Sequence, residues 1–150
     1  MGMTSENVAE KYGITREMQD QLAVDSHAKA VRATQMGWSA AEITPYKTTV
    51  TDKDGNESVV TVDKDDGMRA GTSLQSLAKL KPAFKKGGTT TAGNSSQMTD
   101  GASCVLLARR DVANKLGCRI YGRMVSFATA GVPPEVMGVG PAYAIPKALD

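Results

Sequence analysis

Residues 87–102 read GGTTTAGNSSQMTDGA, and this stretch guides the interpretation of the whole chain. Six of its sixteen residues are glycine or alanine and six are serine or threonine, so it has few side chains to bury. Glycine lets main chain approach a ligand closely, and clustered serine, threonine and asparagine are typical of loops with local hydrogen bonds. The stretch therefore predicts a binding loop that presents backbone and hydroxyl groups.

Two strands and a short helix are predicted after this loop. Residues 103–108, SCVLLA, form an apolar run with the length of a fully buried strand. Residues 119–128 alternate as a second strand, and residues 111–116 between them fit a helix. Cys104 and Cys118 lie in apolar or strand-like contexts without metal-ligand spacing. They are interpreted as buried, reduced thiols of an intracellular protein.

Two helices are predicted at the start of the chain. The first is expected to begin at a cap formed by Thr4 or Ser5 and to end at Gly13. Thr15 is the expected cap of the second helix, which Gly37 ends. The second helix has one narrow apolar face, formed by Met18, Leu22, Ala30 and Ala33.

His27 is the only histidine of the chain and falls on the second helix among polar neighbours. A lone histidine on a polar helix face is more often solvated than catalytic, and no partner for it is expected nearby. No functional role is therefore predicted for His27.

Residues 46–62 alternate as a β-hairpin with its turn at Asp54-Gly55. The same segment resembles the opening of a calcium-binding loop from Asp52 onward. Such a loop requires glycine at its sixth position, where Glu57 stands, and helices at its flanks. The hairpin is the better interpretation.

A third helix is predicted to begin at a capping box of Thr72 and Gln75 and to end before Pro82. The most basic stretch of the chain begins near the end of this third helix and includes Lys79, Lys81, Lys85 and Lys86. It is interpreted as a solvated face whose position beside the loop at 87–102 also suits a phosphate. Residues 131–141 predict a loop, and Pro141 starts a last helix over 142–149.

Length and composition indicate one α/β domain. The chain has 150 residues, of which 41% are apolar, 5% are aromatic and 15 are glycine. The net charge of +2 gives no strong electrostatic case for binding nucleic acid or an anionic membrane surface. No apolar run approaches the ~18 residues of a membrane span, and no signal peptide is recognised.

Reaction chemistry is missing from the pattern of residues. The sequence has no Ser–His–Asp grouping, no paired metal ligands and no Walker or Rossmann glycine pattern. Cys104 falls within an apolar run, which is a poor setting for a nucleophile. The residues alone predict a binding loop beside a basic helix, with no catalytic centre and no metal site, and they favour an anionic, nucleotide-like ligand only weakly.

Four segments add a family resemblance. They are MGMTSENVA at 1–9, LAKLKPAF at 77–84, TTAGNSS at 90–96 and VPPEVMGVGPA at 132–142. With consistent spacing over essentially the whole chain, they resemble the thiolases, and in particular peroxisomal 3-ketoacyl-CoA thiolases of a fungal kind. Within the family, Pro133-Pro134 and the sequence AYAIP at 142–146 indicate the peroxisomal type.

The resemblance implies part of a five-layered αβαβα fold made of two similar halves. Residues 1–91 would be most of a loop domain inserted in the first half, residues 92–117 the end of that half, and residues 118–150 the start of the second. The chain is thus expected to be an internal part of a longer enzyme. Its last helix reaches Asp150 without a capping residue, in agreement with that expectation.

The implied activity is cleavage of 3-ketoacyl-CoA by free CoA in fatty acid β-oxidation, through an acyl-enzyme on an activated cysteine. The family's catalytic residues lie outside this span, and Cys104 and Cys118 match neither catalytic cysteine. The resemblance implies CoA as a substrate, no other cofactor, a homodimer and a peroxisomal location. By themselves, these 150 residues are expected to have no thiolysis activity and to be poorly stable, because sheet edges would be unpaired.

Six positions of this span are implied to bind CoA and substrate. They are Arg69 at the adenine and phosphates, Ser76 at the ADP portion, Ala92 and Ser96 at the pantetheine arm, and Phe84 and Met137 in the apolar wall of the tunnel. A guanidinium offers charge and a stacking plane, and main chain of a small-residue loop can hydrogen-bond an amide-rich arm. The alternative is a non-catalytic CoA-binding or interaction fragment; a thiolase-like sterol-carrier protein is less favoured.

Overall fold

Five helices and one hairpin make up the regular structure of the computed structural model, which describes all 150 residues. In chain order they are α1 (Gly2–Tyr12), α2 (Arg16–Gln35), β1 (Tyr46–Thr51), β2 (Glu57–Val62), α3 (Leu74–Ala78), α4 (Arg110–Lys115) and α5 (Gly140–Leu149). Short 3₁₀ turns lie at Ser39–Ala41 and Pro134–Val139. None of the helices combines the length and the apolar character needed to cross a membrane.

Two of the sequence signals predicted for α1 and α2 are confirmed, namely the end of α1 at Gly13 and the cap of α2 at Thr15. Gly13 ends α1 with a φ of 66°, a left-handed conformation that glycine adopts without strain. The Thr15 hydroxyl accepts a hydrogen bond of 3.3 Å from the Met18 N–H and so caps α2. The predicted cap of α1 was wrong, because this helix already begins at Gly2. Thr4 lies inside it, and its hydroxyl donates back to the Met1 carbonyl at 2.6 Å.

The predicted hairpin is confirmed as an antiparallel pair in which Tyr46 faces Val62. Gly55, with a φ of 86°, forms the turn. The Asp52 carboxylate accepts the N–H of Asn56 at 2.9 Å, so the acidic residue that resembles a calcium ligand serves the turn. Neither strand contacts any other helix or strand of the chain.

The capping box of α3 lies one residue beyond its predicted position. The Ser73 hydroxyl accepts the Ser76 N–H at 3.3 Å, and the Ser76 hydroxyl accepts the Ser73 N–H at 3.1 Å. Thr72, predicted to be the cap, instead donates its hydroxyl to the Arg69 carbonyl at 2.9 Å. The local motif was therefore recognised correctly, whereas its register and its second partner were wrong.

The two predicted buried strands are not formed within this chain. Residues 103–108 and 119–128 pair with no other segment, since the hairpin is the only sheet. Leu106 is 85% exposed, and Cys104 and Cys118 are exposed instead of buried. A buried strand needs hydrogen-bonded neighbours on its edges, and no segment of the 150 residues supplies them.

The last two helices follow their sequence signals closely. The helix predicted over 111–116 is α4, displaced by one residue, and Gly117 follows it with a φ of 67°. Pro141 lies in the first turn of α5, as predicted. The Ser126 hydroxyl donates to the carbonyl of Ala148 and so attaches the segment 119–128 to α5.

The chain exposes far more surface than a self-contained domain of its size. Its accessible area is 12,540 Å², whereas a folded chain of 15.8 kDa has about 7,300 Å². Eight residues are buried. Four of them are apolar, namely Ala9, Leu77, Ala113 and Val136, and four are polar or charged, namely Glu6, Asp20, Thr90 and Thr91. Five of the eight, namely Glu6, Asp20, Leu77, Thr90 and Thr91, lie where α1, α2, α3 and the loop meet, so this junction is largely polar, while most large apolar side chains remain uncovered.

Candidate functional site

The start of the small-residue loop is attached to α1 by a buried carboxylate. Glu6 is 3% exposed, and its Oε1 accepts the N–H of Thr90 at 2.8 Å. Its Oε2 accepts the N–H of Thr89 at 2.9 Å and the hydroxyl of Thr89 at 3.3 Å. Burial alone would raise the pKa of Glu6, but the donated hydrogen bonds outweigh it and hold the pKa below its ordinary value. Glu6 is thus an ionised anchor for the loop.

Close approach to this carboxylate requires glycine at position 88. A Cβ on Gly88 would lie 2.5 Å from the Glu6 Oε1. The same requirement recurs at Gly93, where a Cβ would lie 2.6 Å from a methyl of Leu77 and would also overlap Leu80. Two of the glycines that identified the loop therefore let it pack against α1 on one side and the end of α3 on the other.

Thr91 and Asn94 hold the middle of the loop in a fixed turn. The Asn94 Oδ1 accepts the Thr91 N–H at 2.7 Å, and the Thr91 hydroxyl accepts the Gly93 N–H at 3.2 Å. The Ser95 hydroxyl donates to the Thr91 carbonyl at 2.6 Å. Thr91 is fully buried. The hydroxyl-rich composition therefore serves the loop's own conformation as well as its surface.

A charged pair joins this turn to α2 and α3. Asp20 is 3% exposed and accepts from the Asn94 side-chain amide at 2.9 Å and from the Arg16 Nε at 2.8 Å. The Arg16 Nη2 then donates to the Leu77 carbonyl at 2.6 Å and to that of Leu80 at 3.1 Å, at the end of α3. Sequence reasoning missed Glu6, Arg16 and Asp20; the spacing of Arg16 and Asp20, four residues apart, was the one available signal.

Ala92 and Ser96 are both exposed on the anchored loop. Ala92 directly follows the buried Thr91, so its backbone is fixed from one side. The Ser96 hydroxyl donates to the Gln97 carbonyl at 3.1 Å. The two residues predicted to meet the pantetheine arm are therefore accessible, and Ala92 lies on a rigid support.

Phe84 lies against the start of α1, and Met137 belongs to a turn that packs on α1. Phe84, 51% exposed, lies over Gly2, where any Cβ would overlap its ring. Met137, 45% exposed, belongs to the 3₁₀ turn Pro134–Val139, which packs on α1. The Asn7 side chain supports that turn by donating to the Glu135 carbonyl at 3.0 Å. Within this chain the two side chains enclose no tunnel.

Arg69 and Ser76 lie near α2 and α3 and are both exposed. The Arg69 N–H donates to the His27 Nδ1 at 3.1 Å, which corrects the expectation that His27 has no partner. The Ser76 hydroxyl donates to the Ser73 carbonyl at 2.7 Å while it completes the capping box. In this conformation Ser76 can accept a hydrogen bond from a ligand but has no proton left to donate.

One lysine of the basic stretch is already paired. The Lys85 Nζ lies 2.7 Å from Glu10 on α1. Their hydrogen bond and opposite charges lower the pKa of Glu10 and raise the pKa of Lys85. Lys79, Lys81 and Lys86 form no ion pair.

Two surface clefts lie beside α1, and none of the six predicted residues lines either of them. A polar cleft of about 390 Å³ lies between α1 and residues 85–89 and includes Glu6, Glu10 and Lys85. A smaller cleft of about 220 Å³ lies between Tyr12 and Tyr143, where the proximity of the Tyr143 hydroxyl raises the pKa of Tyr12. The six predicted residues thus lie in three places, on the loop, beside α1, and near α2 and α3, and no cleft of this chain encloses them.

Comparison with known proteins gives consistent results. A family model described as the thiolase N-terminal domain matches residues 1–111. The peroxisomal 3-ketoacyl-CoA thiolase A of Mus musculus is 59% identical over all 150 residues, which cover 35% of that protein. The peroxisomal 3-ketoacyl-CoA thiolase of Yarrowia lipolytica is 57% identical, with 100% of this chain and 36% of that protein covered.

Solved structures give the same result at the level of the fold. The dimeric peroxisomal thiolase of Saccharomyces cerevisiae has a TM-score of 0.85 and 49% identity, covering 99% of this chain and 36% of that one. The acetyl-CoA acetyltransferase of Bacillus anthracis has a TM-score of 0.85 and 42% identity with the same shares covered. The chain spans about a third of the length of the relatives it matches.

Proposed function

Because the chain belongs to the thiolase family, we propose that it is part of a 3-ketoacyl-CoA thiolase, an acyltransferase that cleaves 3-ketoacyl-CoA with free CoA in fatty acid β-oxidation. The main support for this proposal is the sequence identity of 57% to 59% over the full chain to relatives named as peroxisomal 3-ketoacyl-CoA thiolases. The predicted partial thiolase-like α/β fold is confirmed by the solved structures. The activity is proposed for the complete polypeptide.

The proposed role of this span is to bind CoA and substrate. The rigid attachment of the loop supports it, since a loop fixed by Glu6 and Asn94 loses little conformational entropy when it meets a ligand. The exposed backbone of Ala92 and the hydroxyl of Ser96 suit the amides of a pantetheine arm. Arg69 carries a permanent positive charge and suits the phosphates of the nucleotide end.

Phe84 and Met137 are proposed as part of an apolar wall that the rest of the polypeptide completes. Their exposure supports this, because half-exposed apolar side chains on rigid supports are suited to contact with further protein or ligand. The reacting cysteine is expected elsewhere in the complete enzyme. Cys104 and Cys118 are exposed and belong to no grouping of a nucleophile with a base.

The same proposal accounts for the segments that lack strand partners. We expect residues 103–108 and 119–128 to join sheets whose other strands belong to the remaining two thirds of the enzyme. The proposed division is a loop domain over 1–91, the end of the first half over 92–117 and the start of the second half over 118–150. The match of the thiolase N-terminal domain to residues 1–111 falls within the first two of these proposed parts.

Location and assembly are proposed from the relatives. Their names include the peroxisome, and one solved relative is described as dimeric, so we propose a peroxisomal homodimer with CoA as substrate and no further cofactor. That the sequence is of a fungal kind stays a prediction, because the relatives from Mus musculus and Yarrowia lipolytica match at nearly equal identity.

The test is CoA titration and thiolysis with the complete product of the reading frame. Arg69→Ala should weaken CoA binding about 10- to 100-fold, the usual effect of losing a hydrogen bond to a charged group. Lys53→Ala, at the exposed hairpin turn, removes the same charge and should leave affinity within about twofold. CoA binding without turnover would favour the non-catalytic alternative. An unchanged affinity in Arg69→Ala would refute the assigned nucleotide site.

A further inference from the structure

His27 makes one of the two side-chain hydrogen bonds that join α2 to the segment carrying Arg69. Its Nδ1 accepts the Arg69 N–H at 3.1 Å across 42 residues of sequence. The second bond runs from the Thr34 hydroxyl to the Met68 sulfur at 3.1 Å. His27 is half-buried, whereas Arg69 is exposed. The histidine therefore contacts the main chain of Arg69 and leaves its guanidinium free for a ligand.

The peptide groups of Arg69 are fixed on both sides. His27 holds the N–H, while the Arg69 carbonyl accepts the Thr72 hydroxyl at 2.9 Å and the Thr72 N–H at 3.4 Å. Two residues earlier, Gly67 has a φ of 91°, and the Gln97 side chain lies where a Cβ would stand. The backbone that directs the Arg69 side chain is thus set by contacts from α2, Thr72 and the loop.

The chemistry of this contact specifies the form of the imidazole. In this contact Nδ1 accepts the Arg69 N–H through its lone pair, which leaves Nε2 as the ring nitrogen that can donate. On α2, the residues three and four positions from His27 are all apolar: Ala23, Val24, Ala30 and Val31. His27 thus has no charged partner at these positions of its helix, and its observed bond is to the Arg69 backbone.

We propose that His27 is a positioning residue for CoA binding, which holds the Arg69 backbone so that the guanidinium is directed at the nucleotide phosphates. This rests on the proposed function, in which Arg69 meets that end of CoA. Arginine has many rotamers, and fixing its backbone reduces the conformational freedom that binding must remove. Loss of the His27 bond should weaken CoA binding about three- to tenfold.

The position of Arg69 makes the effect selective. Because Arg69 is assigned to the nucleotide end, His27 should matter for CoA and not for pantetheine, which lacks the nucleotide. Loss of the His27 bond should also raise KM for CoA while kcat stays within about twofold, since Arg69 is assigned to the nucleotide end of CoA and not to its reacting end. A residue that only stabilised the fold would affect both thiols alike.

The experiment uses the complete enzyme with His27→Leu, His27→Gln, Arg69→Ala and the double variant His27→Leu/Arg69→Ala. Leucine removes the acceptor, whereas the glutamine side-chain carbonyl can replace it, so His27→Gln should retain most of the affinity. Thiolysis with CoA and with pantetheine gives KM and kcat, and calorimetric titration gives the CoA affinity. The double variant should be no weaker than Arg69→Ala alone, because His27 acts through Arg69.

The possible results separate the two proposals. If Arg69→Ala weakens CoA binding but His27→Leu does not, the role of His27 is refuted and the nucleotide site stands. The role of His27 is also refuted if His27→Leu impairs pantetheine equally, if His27→Gln is as defective as His27→Leu, or if the two losses add. If Arg69→Ala has no effect, the nucleotide site and the role of His27 are both refuted.

Discussion

Replacing Glu6 with glutamine should release the small-residue loop from α1. The buried carboxylate accepts the N–H groups of Thr89 and Thr90 at 2.8 to 3.1 Å and the Thr89 hydroxyl at 3.3 Å. Glutamine has nearly the same shape but keeps one acceptor oxygen and no charge. Its amide nitrogen would replace an oxygen that now accepts a backbone N–H.

The size of the effect follows from the bonds that change. A hydrogen bond to a charged group contributes about 1.5 to 3 kcal/mol and a neutral one about 1 kcal/mol. With two backbone bonds to Glu6 weakened or lost, the loop should become about 2 to 3 kcal/mol easier to open. Glu42 is exposed, and its backbone N–H donates to the Ser39 carbonyl while its carboxylate makes no hydrogen bond, so Glu42→Gln is the matched control and should have no effect.

Hydrogen exchange of the peptide containing Thr89 and Thr90 measures this opening directly. In the complete enzyme the two amides should exchange about 30- to 150-fold faster in Glu6→Gln, which is the same free energy expressed as a rate ratio. Peptides of the hairpin should be unchanged. Exchange that stays within threefold of the parent would refute the anchoring role of Glu6.

The same anchor has a defined dependence on pH. The pKa of Glu6 is lowered in the folded chain from its ordinary 4.5, so its stabilising contribution is complete above that value and is lost as pH falls through the lower folded pKa. The difference in loop opening between parent and Glu6→Gln should therefore shrink in acid. A difference that stays constant from neutral pH to well below pH 4.5 would contradict an ionised Glu6.

Two further substitutions test how the loop packs against its neighbours. Gly93→Ala introduces a methyl where Leu77 already lies, and should lower the free energy of unfolding by about 1 to 3 kcal/mol in urea denaturation, whereas Gly101→Ala, in open space, should not. Asp20→Ala leaves the guanidinium of Arg16 without its partner and should cost about 3 to 5 kcal/mol by the same measurement. A loss below 1 kcal/mol in Asp20→Ala would show that the pair adds little to stability.

Local signals in the sequence predicted local structure well. Gly13, Thr15 and Gly55 each act within a few residues, and each performs the predicted role in a helix end or a turn. The capping box was displaced by one residue because adjacent Thr72 and Ser73 are both able to cap, and the choice depends on backbone geometry. Such choices are not visible in the order of residue types.

Long-range contacts were predicted poorly. Residues 103–108 carry the composition of a buried strand, but burial depends on partners that this chain does not supply. Glu6 and His27 resemble ordinary surface residues of helices, since their partners lie 83 and 42 residues away. The six binding residues came from the family resemblance, and their roles stay predictions.

The polar character of the buried junction has a consequence for its response to temperature. Exposure of apolar surface raises the heat capacity on unfolding, whereas exposure of polar groups lowers it. Opening a junction built on Glu6, Asp20, Thr90 and Thr91 should thus have a small heat-capacity change. The attachment of the loop should weaken steadily on warming and stay firm in the cold, where attachment through apolar contacts alone would lose strength.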